Sequence, residues 1–182
     1  MSGSRLVELD RTELAARRDE VLEVYSEAMD VPAESARSRR SILASHLERE
    51  GLRAVAAQDG DRMVGVAYGY LGRTGQWWHD QVAAALEPSA VARWLMGAFE
   101  VCELHVRPSH QGTGLGRGLL LALLAATPAR TAVLTTPDAE TRARAFYRSG
   151  GWVDLARELQ FPGDPRAFAV LGLDLPTAPV GA

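Results

Sequence analysis

The sequence contains no lysine and no asparagine, so all 20 of its basic side chains are arginines. Without lysine there can be no phosphate-binding loop ending in Gly-Lys, and no Schiff-base or pyridoxal chemistry. The single cysteine, Cys102, excludes an internal disulfide framework and a zinc site built from several cysteines. The four histidines show no i, i+4 pair, which argues against a metal site. We therefore expect no metal, and the missing lysine argues against nucleotide hydrolysis.

A basic field and a long apolar run are missing as well. The formal net charge is −3, which offers nothing to hold nucleic acid or an anionic membrane surface. No apolar run reaches transmembrane length, and residues 1–10 lack the apolar core of a signal peptide. We therefore expect a cytoplasmic protein that binds neither nucleic acid nor membrane.

The composition that remains is that of an ordinary globular protein. The chain has 182 residues, of which 47% are hydrophobic and 24% charged, enough to bury a sizeable core. This length suits one domain, which we predict over residues 1–175. Residues 176–182 are predicted to be a flexible C-terminal tail.

Apolar periodicity and turn signals predict an α/β fold that contains both strand–helix–strand units and β-hairpins. Hairpins near both ends predict antiparallel pairing, and strand–helix–strand units in the middle predict parallel pairing. The expected fold is one domain with a mixed central sheet of about six to seven strands, helices on both faces and a helical insert (residues 76–97) before the fourth strand. Predicted strands cover residues 5–9, 52–58, 62–71, 99–107, 131–136, 152–160 and 167–173, and predicted helices residues 12–29, 33–50, 114–127 and 137–149.

Residues 111–116, Gln-Gly-Thr-Gly-Leu-Gly, form a glycine-rich segment between an apolar strand and a helix-forming run. Such a segment, here called the glycine turn, points several backbone amides and the positive end of a helix dipole at one place. Its glycines would let a phosphate touch the backbone. The pattern predicts capture of a phosphate or pyrophosphate, although glycine also simply makes turns.

Two segments together resemble the GNAT superfamily of N-acetyltransferases. ELHVRPSHQGTGLGRGLL, residues 103–120, is similar to the family's Gln/Arg-x-x-Gly-x-Gly/Ala signature after a strand. ARAFYRSGGW, residues 143–152, resembles the family's aromatic–Tyr-x-x-x-Gly-aromatic ending of a helix. Both lie in the expected order and on the expected elements, and the likeness covers nearly the whole chain.

The resemblance implies acetyl-CoA as co-substrate, with its pyrophosphate on the glycine turn. Its pantetheine arm would pair with the preceding strand like an added β-strand. Arg117, after the turn, would meet phosphates or lie on the surface, and Arg142 and Arg144 would reach the coenzyme's 3′-phosphate or form a solvated helix face. The implied coenzyme-binding residues are Leu104, His105, Val106, Gln111, Gly112, Thr113, Gly114, Leu115, Gly116 and Arg117.

Tyr147 falls where the family often places its general acid, which would protonate the departing thiolate. The alternative is a core tyrosine that packs the end of a helix. An ammonium acceptor must lose a proton, and Glu103 and Glu100 are the candidate bases, with Glu103 slightly favoured. His105 shares a face with Glu103 if the alternation is unbroken, and would be a base, an orienter or a structural histidine.

The expected reaction is acetyl transfer to a primary amine by direct attack in a ternary complex. Cys102 has apolar neighbours, so we expect a buried, inert thiol and no acetyl-cysteine. Glu140 stands where the family often has an asparagine, which puts that coenzyme contact in doubt. The acceptor, a small molecule or a protein amine, is not identified. The sequence does not decide whether the chain forms a homodimer. The alternatives are a coenzyme-A-binding sensor or degenerate module, and a nucleotide-binding module.

Overall fold

The computed structural model describes residues 3–125 and 127–176. It divides into two compact units, which we call the first and the second unit. The first contains Met1–Tyr70 and Val101–Thr127, and the second contains Leu71–Glu100 and Pro128–Ala182. The predicted C-terminal tail lies outside the described residues, apart from Pro176. The boundaries of a single domain over residues 1–175 stay a prediction.

Strands and helices follow one another largely as predicted. The strands are β1 (Arg5–Leu9), β2 (Arg53–Asp59), β3 (Arg62–Leu71), β4 (Phe99–Val106), β5 (Thr131–Pro137), β6 (Val153–Gln160) and β7 (Ala167–Asp174). The helices are α1 (Arg11–Ala16), α2 (Arg18–Met29), α3 (Ala33–Arg37), α4 (Arg40–Leu47), α5 (Trp77–Ala84), α6 (Pro88–Trp94), α7 (Leu115–Leu124) and α8 (Arg142–Ser149), with a 3-10 turn at Pro108–His110.

The sheet has the strand order β1-β2-β3-β4-β5-β7-β6. β1, β2 and β3 pair antiparallel in sequence order, whereas β4 and β5 pair parallel across the α7 connection. β7 lies between β5 and β6 and is antiparallel to both. The described strands therefore confirm the mixed sheet of six to seven strands, and α5 and α6 confirm the helical insert before β4.

The ladder between β4 and β5 is short. It joins Phe99 to Ala132 and Glu100 to Val133. β4 itself continues to Val106. Its six remaining residues, 101–106, belong to the first unit and lead into the glycine turn.

The core of the first unit forms where α1, α2 and α4 pack onto β2 and β3. Its helices contribute one apolar stripe each, as the 3.6-residue period requires. The buried members of this cluster are Leu9, Leu14, Val21, Val24, Leu43, Leu47, Ala54, Ala56, Met63, Val66 and Tyr68.

Both predicted N-terminal helices are interrupted, which corrects the prediction of one helix over residues 12–29 and one over 33–50. The first helix begins after Asp10, not Thr12, in a capping box with Glu13, whose N–H is 2.8 Å from Asp10 Oδ1. It ends at Arg17, where φ is −99° and ψ is 15°. The second breaks after α3, where the Ser38 hydroxyl donates to a carbonyl three residues earlier and so competes with the helix.

The second unit packs α5 and α6 with β5 and β7. Its buried cluster contains Val82, Leu95, Ala98, Val133, Phe161 and Val170. α8 begins at Arg142 rather than at residue 137, because Thr141 is its N-cap and accepts a hydrogen bond from the amide of Arg144 at 3.1 Å. Asp138, predicted in the first turn of this helix, instead lies in an ion-pair cluster described below.

Candidate active site

The glycine turn takes a conformation that requires glycine at two positions. Gly112 and Gly114 have φ values of 79° and 86°, in the left-handed region that side chains avoid. Gly114 is the N-cap residue of α7, and its carbonyl accepts the amide of Gly118 at 3.0 Å. A Cβ built on either turn glycine would meet no heavy atom within 4 Å. The space beside both glycines is therefore open.

The amides of the turn point to no partner within the described residues. The N–H groups of residues 112–117 donate to no acceptor there. The side chains tie the turn to its own backbone instead: Gln111 Nε2 donates to the carbonyl of Val106 at 2.9 Å, and the Thr113 hydroxyl donates to that of His110 at 2.8 Å. With Arg117 exposed beside them, these amides and the α7 dipole can hold an anion.

Arg107 fixes the point where β4 ends and the turn segment begins. Its side chain is 2% exposed, and its Nε donates to the carbonyl of Met63 at 2.8 Å. The guanidinium also pairs with Glu27, and with Glu23 at 3.4 Å. The backbone N–H of Arg107 donates to Val64 at 2.8 Å. Sequence reasoning did not single out this arginine, which ties α2 and β3 to the end of β4.

Glu103 and His105 lie on one face of β4, as the alternation predicts. His105 Nε2 lies 2.5 Å from Glu103 Oε2, and Arg39 Nη2 donates to Glu103 Oε1 at 2.5 Å. The rings of Tyr25 and His105 make a T-shaped contact, with centroids 5.2 Å apart. These groups line a cleft, here called the Glu103 cleft, that also includes Val21, Leu22, Ile42, Leu43 and Tyr68.

The Glu103 carboxylate is held in its charged form. Burial would raise the pKa of Glu103, but the hydrogen bond from His105 and the charges of His105 and Arg39 outweigh it, so the pKa lies below its ordinary value. Deeper in the same unit, burial lowers the pKa of His46 and raises that of Tyr68 well above its ordinary value. Nδ1 of His46 lies 3.3 Å from the Tyr68 hydroxyl. Glu103 is thus an anion that faces the cation of Arg39, and the His46 and Tyr68 side chains deeper in the unit are neutral near pH 7.

Glu100 and Glu103 fall in different units. Glu100 belongs to the second unit and is 4% exposed, next to the short ladder with β5. Residues three apart on a strand point to opposite faces. Leu104 and Val106, predicted to bind the coenzyme arm through their backbone, lie on the same strand segment as Glu103. The first unit therefore contains Glu103, His105 and the glycine turn, and the second contains Glu100.

Tyr147 lies on α8 in the second unit. Its ring makes T-shaped contacts with those of Phe146 and Trp152, with centroids 5.1 Å and 5.6 Å away. Its carbonyl accepts the amides of Gly150 at 2.9 Å and Trp152 at 3.2 Å, which closes the end of the helix. These contacts agree with a tyrosine that packs a helix end, and its role as general acid stays a prediction.

The prediction that Arg144 faces outward is wrong. Its side chain is 0% exposed and pairs with Asp138, and with Asp154 at 2.8 Å. Arg157 Nε donates to Asp138 Oδ1 at 2.7 Å, and together with the amide of Glu158 it holds the pKa of Asp138 well below its ordinary value. Arg144 is therefore a structural cation and not a free ligand for a 3′-phosphate.

Other predicted features have less bearing on the site. Cys102 is partly buried rather than buried, packed against the first unit's core. Glu140 is exposed, 3.6 Å from Arg148. In residues 3–125 and 127–176, no three His, Cys, Asp or Glu side chains gather as a metal site would require. None of the helices in the described part of the chain is long and apolar enough to cross a bilayer.

Comparison with known proteins gives consistent matches. The sequence profile of the acetyltransferase (GNAT) family matches residues 18–152. A GCN5-like protein acetyltransferase of Mycobacterium tuberculosis (strain ATCC 25618 / H37Rv) is 36% identical over 201 residues, covering 94% of this chain and 98% of that protein.

Solved structures match in fold. The PaiA N-acetyltransferase from Thermoplasma acidophilum, in complex with coenzyme A, has a TM-score of 0.64 at 12% identity and covers 95% of this chain and 99% of that one. The ribosomal-protein-S18-alanine N-acetyltransferase from Escherichia coli has a TM-score of 0.62 at 18% identity, with 98% of both chains covered.

Proposed function

The chain belongs to the acetyltransferase (GNAT) family, and we propose that it transfers an acetyl group from acetyl-CoA to a primary amine by direct attack in a ternary complex. One observation carries the proposal. A single strand, β4, leads through residues 107–110 into the glycine turn and carries a partly buried carboxylate eight residues before that turn, at Glu103. On this proposal the first unit holds both the coenzyme and the base that takes a proton from the amine.

The glycine turn fits the pyrophosphate of the donor. Six consecutive amides, of residues 112–117, have no acceptor within the described chain, and the positions beside Gly112 and Gly114 are open. Backbone amides at a helix start bind phosphate without lysine, which suits a chain whose cations are all arginines. The pantetheine arm would pair with the backbone of residues 104–106, since the ladder of β4 with β5 ends at Glu100.

Glu103 is proposed as the base. It is ionised, so it can take up a proton, and it pairs with His105, whose imidazole would share a proton taken from the ammonium. Glu100 is the weaker candidate, because it is buried beside the ladder in the second unit. Tyr147 is proposed as the acid that protonates the thiolate, a group whose conjugate acid has a pKa of roughly 8.5 by analogy with cysteine.

The acceptor is proposed to be a small-molecule or protein amine. The relative from Mycobacterium tuberculosis is named a protein acetyltransferase, so a lysine-containing peptide belongs in any panel beside small alkylamines. The runner-up is a module that binds coenzyme A without transfer. The two differ in turnover, because only the enzyme releases coenzyme A faster when an amine is added.

The test is the release of free coenzyme A with n-butylamine, a polyamine and a lysine peptide as acceptors. Wild type is expected to turn over, and Tyr147→Phe to lose about 100-fold or more of kcat, the contribution typical of a general acid. Phe146→Leu is the matched control, since it disturbs the same ring cluster without removing a hydroxyl. Tight acetyl-CoA binding with no turnover on any acceptor would favour the sensor. Equal kcat in Tyr147→Phe and wild type would remove Tyr147 from the mechanism.

A further inference from the structure

Arg39 occupies the Glu103 cleft. It lies at the junction of α3 and α4, between the two short helices. Its guanidinium sits 4.6 Å from the centre of the Tyr25 ring and donates to Glu103 Oε1. The cleft that remains has a volume of only about 10 Å³, room for no more than one water. The guanidinium therefore occupies the position at Oε1 that an incoming amine would take.

Arg39 has fewer hydrogen-bond acceptors than the two buried arginines, Arg107 and Arg144. Arg107 is 2% exposed with three acceptors, and Arg144 is 0% exposed with two carboxylates. Arg39 is 35% exposed, and within the described residues its side chain has a single carboxylate partner. A long side chain that is partly solvated and has one carboxylate partner can move into water without leaving other buried acceptors unpaired.

We propose that Arg39 is a displaceable plug of the acceptor cleft, and that the acceptor is an alkylammonium cation that replaces the guanidinium at Glu103 Oε1 and over the Tyr25 ring. The proposal rests on the proposed function, in that it takes Glu103 as the base. Both groups bind a positive charge well, since Glu103 is a partly buried carboxylate and Tyr25 presents an aromatic ring. The structure shows the site filled by the protein's own cation.

The same geometry sets a preference among acceptors. A cationic acceptor keeps Oε1 of the partly buried Glu103 paired when Arg39 leaves, whereas a neutral molecule of the same shape leaves that oxygen without its partner. Because the plug competes with the acceptor, the affinity seen in solution is the intrinsic affinity multiplied by the fraction of open molecules. Removing the guanidinium should therefore tighten the binding of cations.

The experiment follows binding alone, without acetyl-CoA. n-Butylammonium is titrated into histidine-labelled protein, and the ring signal of His105, assigned from His105→Gln, reports the cleft by NMR. We expect Arg39→Met and Arg39→Gln to bind about tenfold tighter than wild type, the change for a plug closed about nine-tenths of the time. Arg39→Lys, which keeps the charge, should stay near wild type. n-Butanol, the neutral probe, should bind no better to any variant.

Arg40→Met is the matched control. The neighbouring Arg40 is exposed and pairs with Asp19 at 2.5 Å on the surface, so its removal should leave butylammonium binding unchanged. Wild-type or weaker binding in both Arg39→Met and Arg39→Gln, with folding verified by circular dichroism, overturns the plug. Tighter binding in the Arg39 variants without acetyl transfer by wild type would support the plug and contradict the proposed transferase activity. Acetyl transfer by wild type, with butylammonium affinity unchanged in the Arg39 variants, would contradict only the plug.

Discussion

Gly114→Ala separates the conformation of the glycine turn from its proposed role in donor binding. Gly114 has a φ of 86°, a region that costs an alanine roughly 1–2 kcal/mol. The added methyl meets no protein atom within 4 Å, so packing adds nothing to that cost. We therefore expect the variant to fold, with a free energy of unfolding lower by about 1–2 kcal/mol in urea.

Donor binding should suffer much more than folding. To relieve the strain the turn must rotate amides that would face the pyrophosphate, and the methyl projects into the open space beside them. A hydrogen bond to a charged group contributes about 1.5–3 kcal/mol, so losing two weakens binding by about 3 kcal/mol or more. That is more than 100-fold in the Kd of acetyl-CoA, measured by isothermal titration calorimetry.

Gly60→Ala is the matched control in the same unit. Gly60 closes the β2–β3 hairpin with a φ of 59°, and a Cβ there also meets no atom within 4 Å. It should carry a similar strain and leave acetyl-CoA affinity unchanged. An affinity within twofold of wild type in folded Gly114→Ala, or an equal loss in Gly60→Ala, would refute the assignment of the turn to the pyrophosphate.

Three further outcomes follow from the packing and charges of the fold. Arg144→Met should lower the free energy of unfolding in urea by about 3 kcal/mol, because two carboxylates lose a buried partner, whereas the exposed Arg142→Met should change it by less than about 0.5 kcal/mol. Arg157 lowers the pKa of Asp138 in the folded protein, so ionised Asp138 stabilises the fold above its unfolded pKa of about 3.9, and this stabilisation is lost as the pH falls from there through the folded pKa. The free energy of unfolding should therefore depend less steeply on acid pH in Asp138→Asn than in wild type. Gly118→Ala should raise the melting temperature, since α7 gains about 0.5–1 kcal/mol and the new methyl lies at an ordinary 3.4 Å from a leucine of β1.

The strand–turn–helix at the heart of the site could be predicted because its signals are local. An apolar run, closely spaced glycines and a helix-forming run fix β4, the glycine turn and α7 within a few residues of their positions. The shared face of Glu103 and His105 follows from the two-residue period of a strand. The missed capping box of Asp10 and Glu13 was also local, and the pattern Asp-x-x-Glu would have located it.

The features that could not be predicted are contacts between distant positions. Arg39 and Glu103 are 64 residues apart, and nothing near Arg39 distinguishes it from the arginines around it. Arg144 stands in an arginine-rich helix typical of a solvated face, and its burial depends on Asp138, just after β5, and on Asp154 of β6. Side-chain burial of this kind is decided by packing partners, which a local pattern does not contain.

The most direct test of the account is the mass of the acceptor after incubation with acetyl-CoA. With a lysine peptide or n-butylamine as acceptor, wild type is expected to produce the N-acetylated amine. Glu103→Gln should form this product at least about 100-fold more slowly, because the proposed base is gone. Acetyl-CoA affinity should be the same in both proteins. Product formed equally fast by Glu103→Gln, or no acetylated amine from a wild-type protein that binds acetyl-CoA, would contradict the account.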